Sequence, residues 1–130
     1  MAPELTALTC ALLLQIATLA VMSTVANREL GPKVTTGPRD GALPPMSPVL
    51  GRLRRAAANG FEGLTLFAPA VLILAISGQS GAATATAAWV YVAARVLYVP
   101  AYALGLTPWR SVVWMIGLLA TLTLLVSALI

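Results

Sequence analysis

The chain has no histidine and a single cysteine, Cys10, among 130 residues. These absences exclude a disulfide framework and leave no zinc, haem or Cys-His site that one chain can assemble. Charge is scarce too. Only 9% of the residues are charged, against roughly 25% in soluble domains. Eight basic residues against four acidic ones give a formal net charge of +4. Six of the eight fall between Arg28 and Arg55, beside apolar spans, which points to membrane topology and away from nucleic acid. Apolar side chains are what the sequence has in excess, with 59% hydrophobic residues and a mean hydropathy of +0.90. We therefore expect an integral membrane protein with one domain over residues 1–130.

Four apolar spans follow one another, at about 5–26, 48–77, 82–104 and 108–130, and predict an all-α, four-transmembrane-helix bundle. Leu5 to Ala26 is uncharged and supplies the ~20 residues a hydrocarbon core requires. It follows Met-Ala-Pro-Glu, with no basic stretch ahead of it, and reads as a retained helix instead of a cleaved signal peptide. Cys10 lies inside it as a small buried hydrophobe. "SGQSG" (Ser77 to Gly81) and "GLTP" (Gly105 to Pro108) supply the short turns, with Thr107 expected as N-cap and Pro108 at the first helical position. The alanine-rich "GAATATAAW" suits close packing against a neighbouring helix.

The remaining connection, residues 27–47, is the one long loop. Its glycines and prolines forbid a continuous helix. The basic excess between Arg28 and Arg55 puts this loop in the cytoplasm, because the opposite turn, Ser77 to Gly81, is uncharged. Both termini then face outward. The second span is 30 residues, or ~45 Å against a ~30 Å core, so its basic start projects into the cytosol.

"RRAAANGFEGLTLF" (Arg54 to Phe67) carries charge into that span. Arg55, Asn59 and Glu62, at i, i+4 and i+7, share one helix face. Arg95, Tyr98 and Tyr102 form a second stripe on the third helix, and Arg110 and Ser111 open the fourth at the same membrane face. The intramembrane charge is thus expected to converge on one end of the bundle, with a Glu62–Arg95 ion pair geometrically allowed. Plainer readings stand beside this one. Arg55 and Arg110 suit headgroup anchors, Tyr98, Tyr102 and Trp109 suit an interfacial belt, and Asn59 suits a helix–helix hydrogen bond. Arg95 and Glu62 are harder to dismiss, because a charge at the bilayer centre costs at least ~2.5 kcal/mol and usually marks a site.

"RAAANGFE" (Arg55 to Glu62) resembles the R-A-x-x-N-x-x-E signature of the MAPEG family, the membrane-associated proteins in eicosanoid and glutathione metabolism. "RVLYVPAY" (Arg95 to Tyr102) is similar to that family's helix-three motif, and "RSVVW" (Arg110 to Trp114) to the start of its helix four. The proline-rich "GPRDGALPP" departs from the animal enzymes and suits a bacterial-type member. Position 98 is histidine in some catalytic members and tyrosine here.

The resemblance implies a homotrimer, in a bacterial inner membrane, with glutathione or another low-molecular-weight thiol bound between subunits near the cytosolic face. Arg55, Asn59, Glu62, Arg95, Tyr98 and Tyr102 would hold the thiol, and Arg110 and Ser111 would serve catalysis. The implied function is a glutathione-dependent transferase or peroxidase acting on a lipophilic electrophile from the bilayer. A non-catalytic lipid- or thiol-binding protein of the same fold is the alternative. A small exporter is a more distant one, since it would need a carboxylate near mid-membrane in helix one, and Glu4 lies at that helix's outer end.

Overall fold

Ser47 and Pro48 set the start of the longest helix. The Ser47 hydroxyl accepts from Leu50 N at 3.1 Å, which satisfies one of the donors a helix N-terminus leaves open. Pro48 follows at the first helical position, where its missing N–H costs nothing. The computed structural model describes residues 1–130 and contains five helices. They are α1 (Pro3–Leu30), the single-turn α2 (Pro32–Thr35), α3 (Pro48–Ser77), α4 (Ala82–Ala103) and α5 (Trp109–Leu129). All but α2 are long and apolar enough to cross a bilayer.

Helix α1 runs past its apolar stretch to Leu30, because helical backbone bonds do not depend on lipid. Gly31, at φ 85°, ends it, and its N–H returns to Asn27 O at 3.1 Å. The loop then folds back: both the hydroxyl and the amide of Ser47 donate to the Glu29 carboxylate, tying the end of α1 to the start of α3. At the other end, Gly78 closes α3 in the left-handed conformation that glycine adopts without strain. Thr107 does not cap α5. Pro108 takes the N-cap position, and its carbonyl accepts from Ser111 N and Val112 N.

Helices α3 and α4 form the central pair, and each contacts both α1 and α5. No contact joins α1 to α5, so these two flank the central pair from different sides. Small residues make the close approaches that substitute, in lipid, for a hydrophobic driving force. Ala7, Ala11, Ala70, Ala87, Ala88 and Ala120 pack with Phe67, Val71, Leu74 and Leu124 in the half of the bundle away from the loop. Nearer the loop, Gln15 Nε2 donates to Ala57 O at 2.8 Å in a buried contact that only a glycine at position 60 admits. A Cβ there would lie 2.0 Å from Gln15 Oε1.

One acidic residue breaks the expected pattern of charge. Glu4 is fully buried at the far end of the bundle, where it accepts from Thr84 Oγ1 at 2.5 Å, so buried ionisable side chains are not confined to the loop end. Thr84 also accepts from Gly81 N at 2.8 Å. Glu4 therefore pins the first turn of α1 to the first turn of α4, with Oε2 left unpartnered. Cys10 is half-buried against the core, remote from the loop end.

Candidate functional site

All eight residues singled out in the sequence lie on α3, α4 and α5 towards the loop end. Heptad-like spacing is the local cause. Arg55, Asn59 and Glu62 share a face of α3, and Arg95, Tyr98 and Tyr102 share one of α4. Because the helices are antiparallel neighbours, the two stripes meet side by side.

Arg95 is the innermost cation. It is 7% exposed, and its Nη1 donates to Asn59 Oδ1 at 2.7 Å. The guanidinium carbon lies 4.2 Å from the Tyr98 ring centroid, well within cation–π range. The expected ion pair with Glu62 is not formed. Glu62 is exposed, and it meets Arg95 only across a shared cleft. Asn59 captures the guanidinium because it lies one turn closer to the loop on the same face and presents a neutral acceptor at hydrogen-bond distance. A buried cation is thus left with neutral partners only.

Tyr98 is 4% exposed and meets Tyr102 edge-on, with 5.6 Å between centroids. Two further arginines gather on Tyr102. Arg55 Nε donates to its hydroxyl at 3.0 Å, and the Arg110 guanidinium lies 4.5 Å from its ring. Three guanidinium groups therefore converge on two tyrosine rings, and none of the three hydrogen-bonds to a carboxylate. Like charges so arranged raise the local potential and favour an anion.

Two adjoining clefts open from this cluster. Asn59, Tyr98, Arg110, Ser111 and Trp114 line a polar one. The other, of about 170 Å³, is mostly apolar and extends deeper between α3 and α5, past Leu66, Leu118 and Gly117, with Glu62 and Arg95 at its charged end. Trp114 forms a wall of both.

The MAPEG family profile matches residues 7–130. This chain belongs to the MAPEG family. Searches of curated proteins and of solved structures gave no match. MAPEG members include glutathione-related transferases, peroxidases and lipid-metabolism proteins, and the arginine–tyrosine cluster lies within the matched segment.

Among the residues of the MAPEG chain's clefts that the sequence does not mark out, Trp114 and Tyr91 stand closest to the cluster's chemistry. In the sequence Trp114 stands only as the last residue of RSVVW. Tyr91, one helical turn before Arg95, resembles a core aromatic and indeed stacks on Phe67 at 3.8 Å. Its hydroxyl, however, is buried without a partner on a residue that lines the apolar cleft. Gly63 makes room for it, since a Cβ there would lie 2.7 Å from the phenol oxygen. The available signal was the i, i+4 relation of Tyr91 to Arg95 together with the glycine one residue after Glu62.

Proposed function

We propose that this protein is a thiol-dependent transferase or peroxidase that binds glutathione, or another small thiol, over the arginine–tyrosine cluster, from the polar cleft to the charged end of the apolar one, and a lipophilic electrophile in the apolar depth beyond it. The observation that carries this reading is Arg95, a buried cation without an acidic partner. Such a charge is costly unless an anion completes it. Glutathione offers two carboxylates, an amine and a thiol. Arg95 and Arg55 suit the carboxylates, Glu62 suits the amine, and Asn59, Tyr98 and Tyr102 supply neutral hydrogen bonds.

Arg110 would lie by the sulfur. Its charge, at the start of α5 where the helix dipole also favours an anion, stabilises a thiolate over a thiol of ordinary pKa near ~8.5. Ser111 adds a hydroxyl beside it. In conjugation the thiol loses its proton to solvent, and the thiolate forms a sulfur–carbon bond as the electrophile's bond to its leaving group breaks, the leaving group departing with the electron pair. In peroxide reduction two thiols give a disulfide while the hydroperoxide becomes an alcohol and water. Tyr91 would donate its free hydroxyl to an oxygen of the electrophile.

The rest of the reading follows the family and the charge distribution. Three copies form the working unit, the connection between α1 and α3 and the site face the cytoplasm, and both termini face outward in a bacterial inner membrane. Conjugation and peroxidase assays on detergent-purified protein, with a panel of thiols, test the proposal. Thiol-dependent turnover is expected. Saturable thiol binding without turnover of any electrophile would favour a non-catalytic binding protein, and neither binding nor turnover would reject the site.

A further inference from the structure

A second basic pocket lies at the loop end, outside the arginine–tyrosine cluster. It holds about 210 Å³, and its walls are the last turns of α1 (Met22, Ser23, Ala26 and Asn27), the end of α2 with Arg39 beyond it, and Arg54 of α3. No acidic residue lines it. Glu29, the nearby carboxylate of α1, is already engaged by Ser47.

Its hydrogen-bonding groups are mainly donors. Thr35 Oγ1 donates to Asn27 Oδ1, which leaves the Asn27 amide N–H groups free to point elsewhere. Arg39 spends one N–H on Thr35 O at 2.7 Å, and Arg54 reaches only the Met46 sulfur, at 3.5 Å. Each guanidinium has five N–H donors, so most of both sets have no partner in the chain. The Arg39 backbone stands at φ 59°, a left-handed conformation that residues with a side chain seldom adopt. The arginine is thereby folded back onto the end of α2, lining the same pocket as Arg54, and an anion held in that pocket would offset the repulsion between the two like charges.

Depth supplies the remaining constraint. Counted from Pro3 at 1.5 Å per residue, Met22 to Asn27 lie about 28 to 36 Å along α1, just where a ~30 Å hydrocarbon core gives way to headgroups. Met22 and Ala26 face the pocket from this level.

We propose that this pocket binds a phosphate group, carried by an anionic phospholipid headgroup or free in solution. Arg39 and Arg54 form charge-assisted hydrogen bonds to its oxygens, with Ser23 and Asn27 completing the set. The site is separate from the thiol cleft, so it stands or falls independently of the proposed activity.

Thermal unfolding in neutral detergent micelles tests it, with two probes. One is phosphatidylglycerol, compared with phosphatidylcholine. The other is inorganic phosphate, compared with chloride at matched ionic strength. Anything that binds the folded state alone raises Tm, and we expect a gain of at least ~3 °C from one probe. A gain from the lipid alone assigns the headgroup, and a gain from phosphate assigns the free ion. Arg39→Gln and Arg54→Gln should lose most of this gain, whereas Arg28→Gln, which removes the same charge outside the pocket, should keep it. No gain in wild type, an undiminished gain in either pocket variant, or an equal loss in Arg28→Gln would overturn the proposal. Should the arginine variants fail to fold, Ala26→Phe decides, because it fills the pocket without changing charge. Retention of the full gain in that folded variant would also overturn the site.

Discussion

Arg95 owes its position to neutral neighbours. Asn59 gives it one short hydrogen bond and Tyr98 a ring face, together worth ~2–5 kcal/mol by the usual scales. In the proposed reaction Arg110 has a different task, so the two should separate on mutation. Arg110→Ala should leave thiol binding nearly intact while the bound thiol's pKa rises toward ~8.5, since a nearby cation favours the charged form. Turnover at neutral pH falls, and lysine restores only part of it for lack of the planar fork. Thiolate absorbance against pH, with thiol bound to wild type and variant, reads this directly. Coincident curves would make Arg110 an anchor alone. Tyr91→Phe removes one oxygen from a cleft wall and no partner from the chain. Stability should stay within ~1 kcal/mol or rise, while kcat/KM for an oxygen-bearing electrophile falls ~10-fold. Unchanged kcat/KM would leave Tyr91 a core aromatic.

At the scale of helices, much was legible in the sequence. Apolar length gave the four spans, and the i, i+4, i+7 spacing put the two polar stripes on facing sides of α3 and α4, which the structure brings together. What the sequence concealed depended on pair geometry. Nothing in the spacing of Arg95 chose Asn59 over Glu62 as its partner, and nothing local showed that Glu4 would turn inward to Thr84. The length of α1 was also hidden, because hydropathy marks where lipid ends and Gly31 marks where the helix ends. The approach of α1 to α3 is a further case, set by Gln15 and Gly60. Gly60→Ala gains intrinsic helix propensity of ~1 kcal/mol but drives a methyl into a buried, hydrogen-bonded amide. We expect a net loss of ~1–3 kcal/mol in detergent denaturation, partly relieved by adding Gln15→Ala. Additive losses in the double variant would show that the two residues do not meet.

For the whole molecule, charge asymmetry sets the expected orientation. Six of eight basic residues lie on or beside the loop, and on the positive-inside rule we propose a cytoplasmic loop. Alkaline phosphatase, which is active only outside the cytoplasm, should be active when fused after Ile130 and inactive when fused at Asp40. The reverse pattern would invert the topology and place the thiol cleft on the outer face. The central proposal is narrower: the cluster between α3, α4 and α5 binds an anionic thiol through Arg95. Calorimetric titration of glutathione into the detergent-solubilised protein, wild type and Arg95→Ala, measures it most directly. Saturable binding that weakens ~10-fold or more in the folded variant is the predicted result, on the ~1.5–3 kcal/mol scale of a charged hydrogen bond. Equal affinity in the two proteins, with the variant's fold and oligomeric state intact, would contradict it.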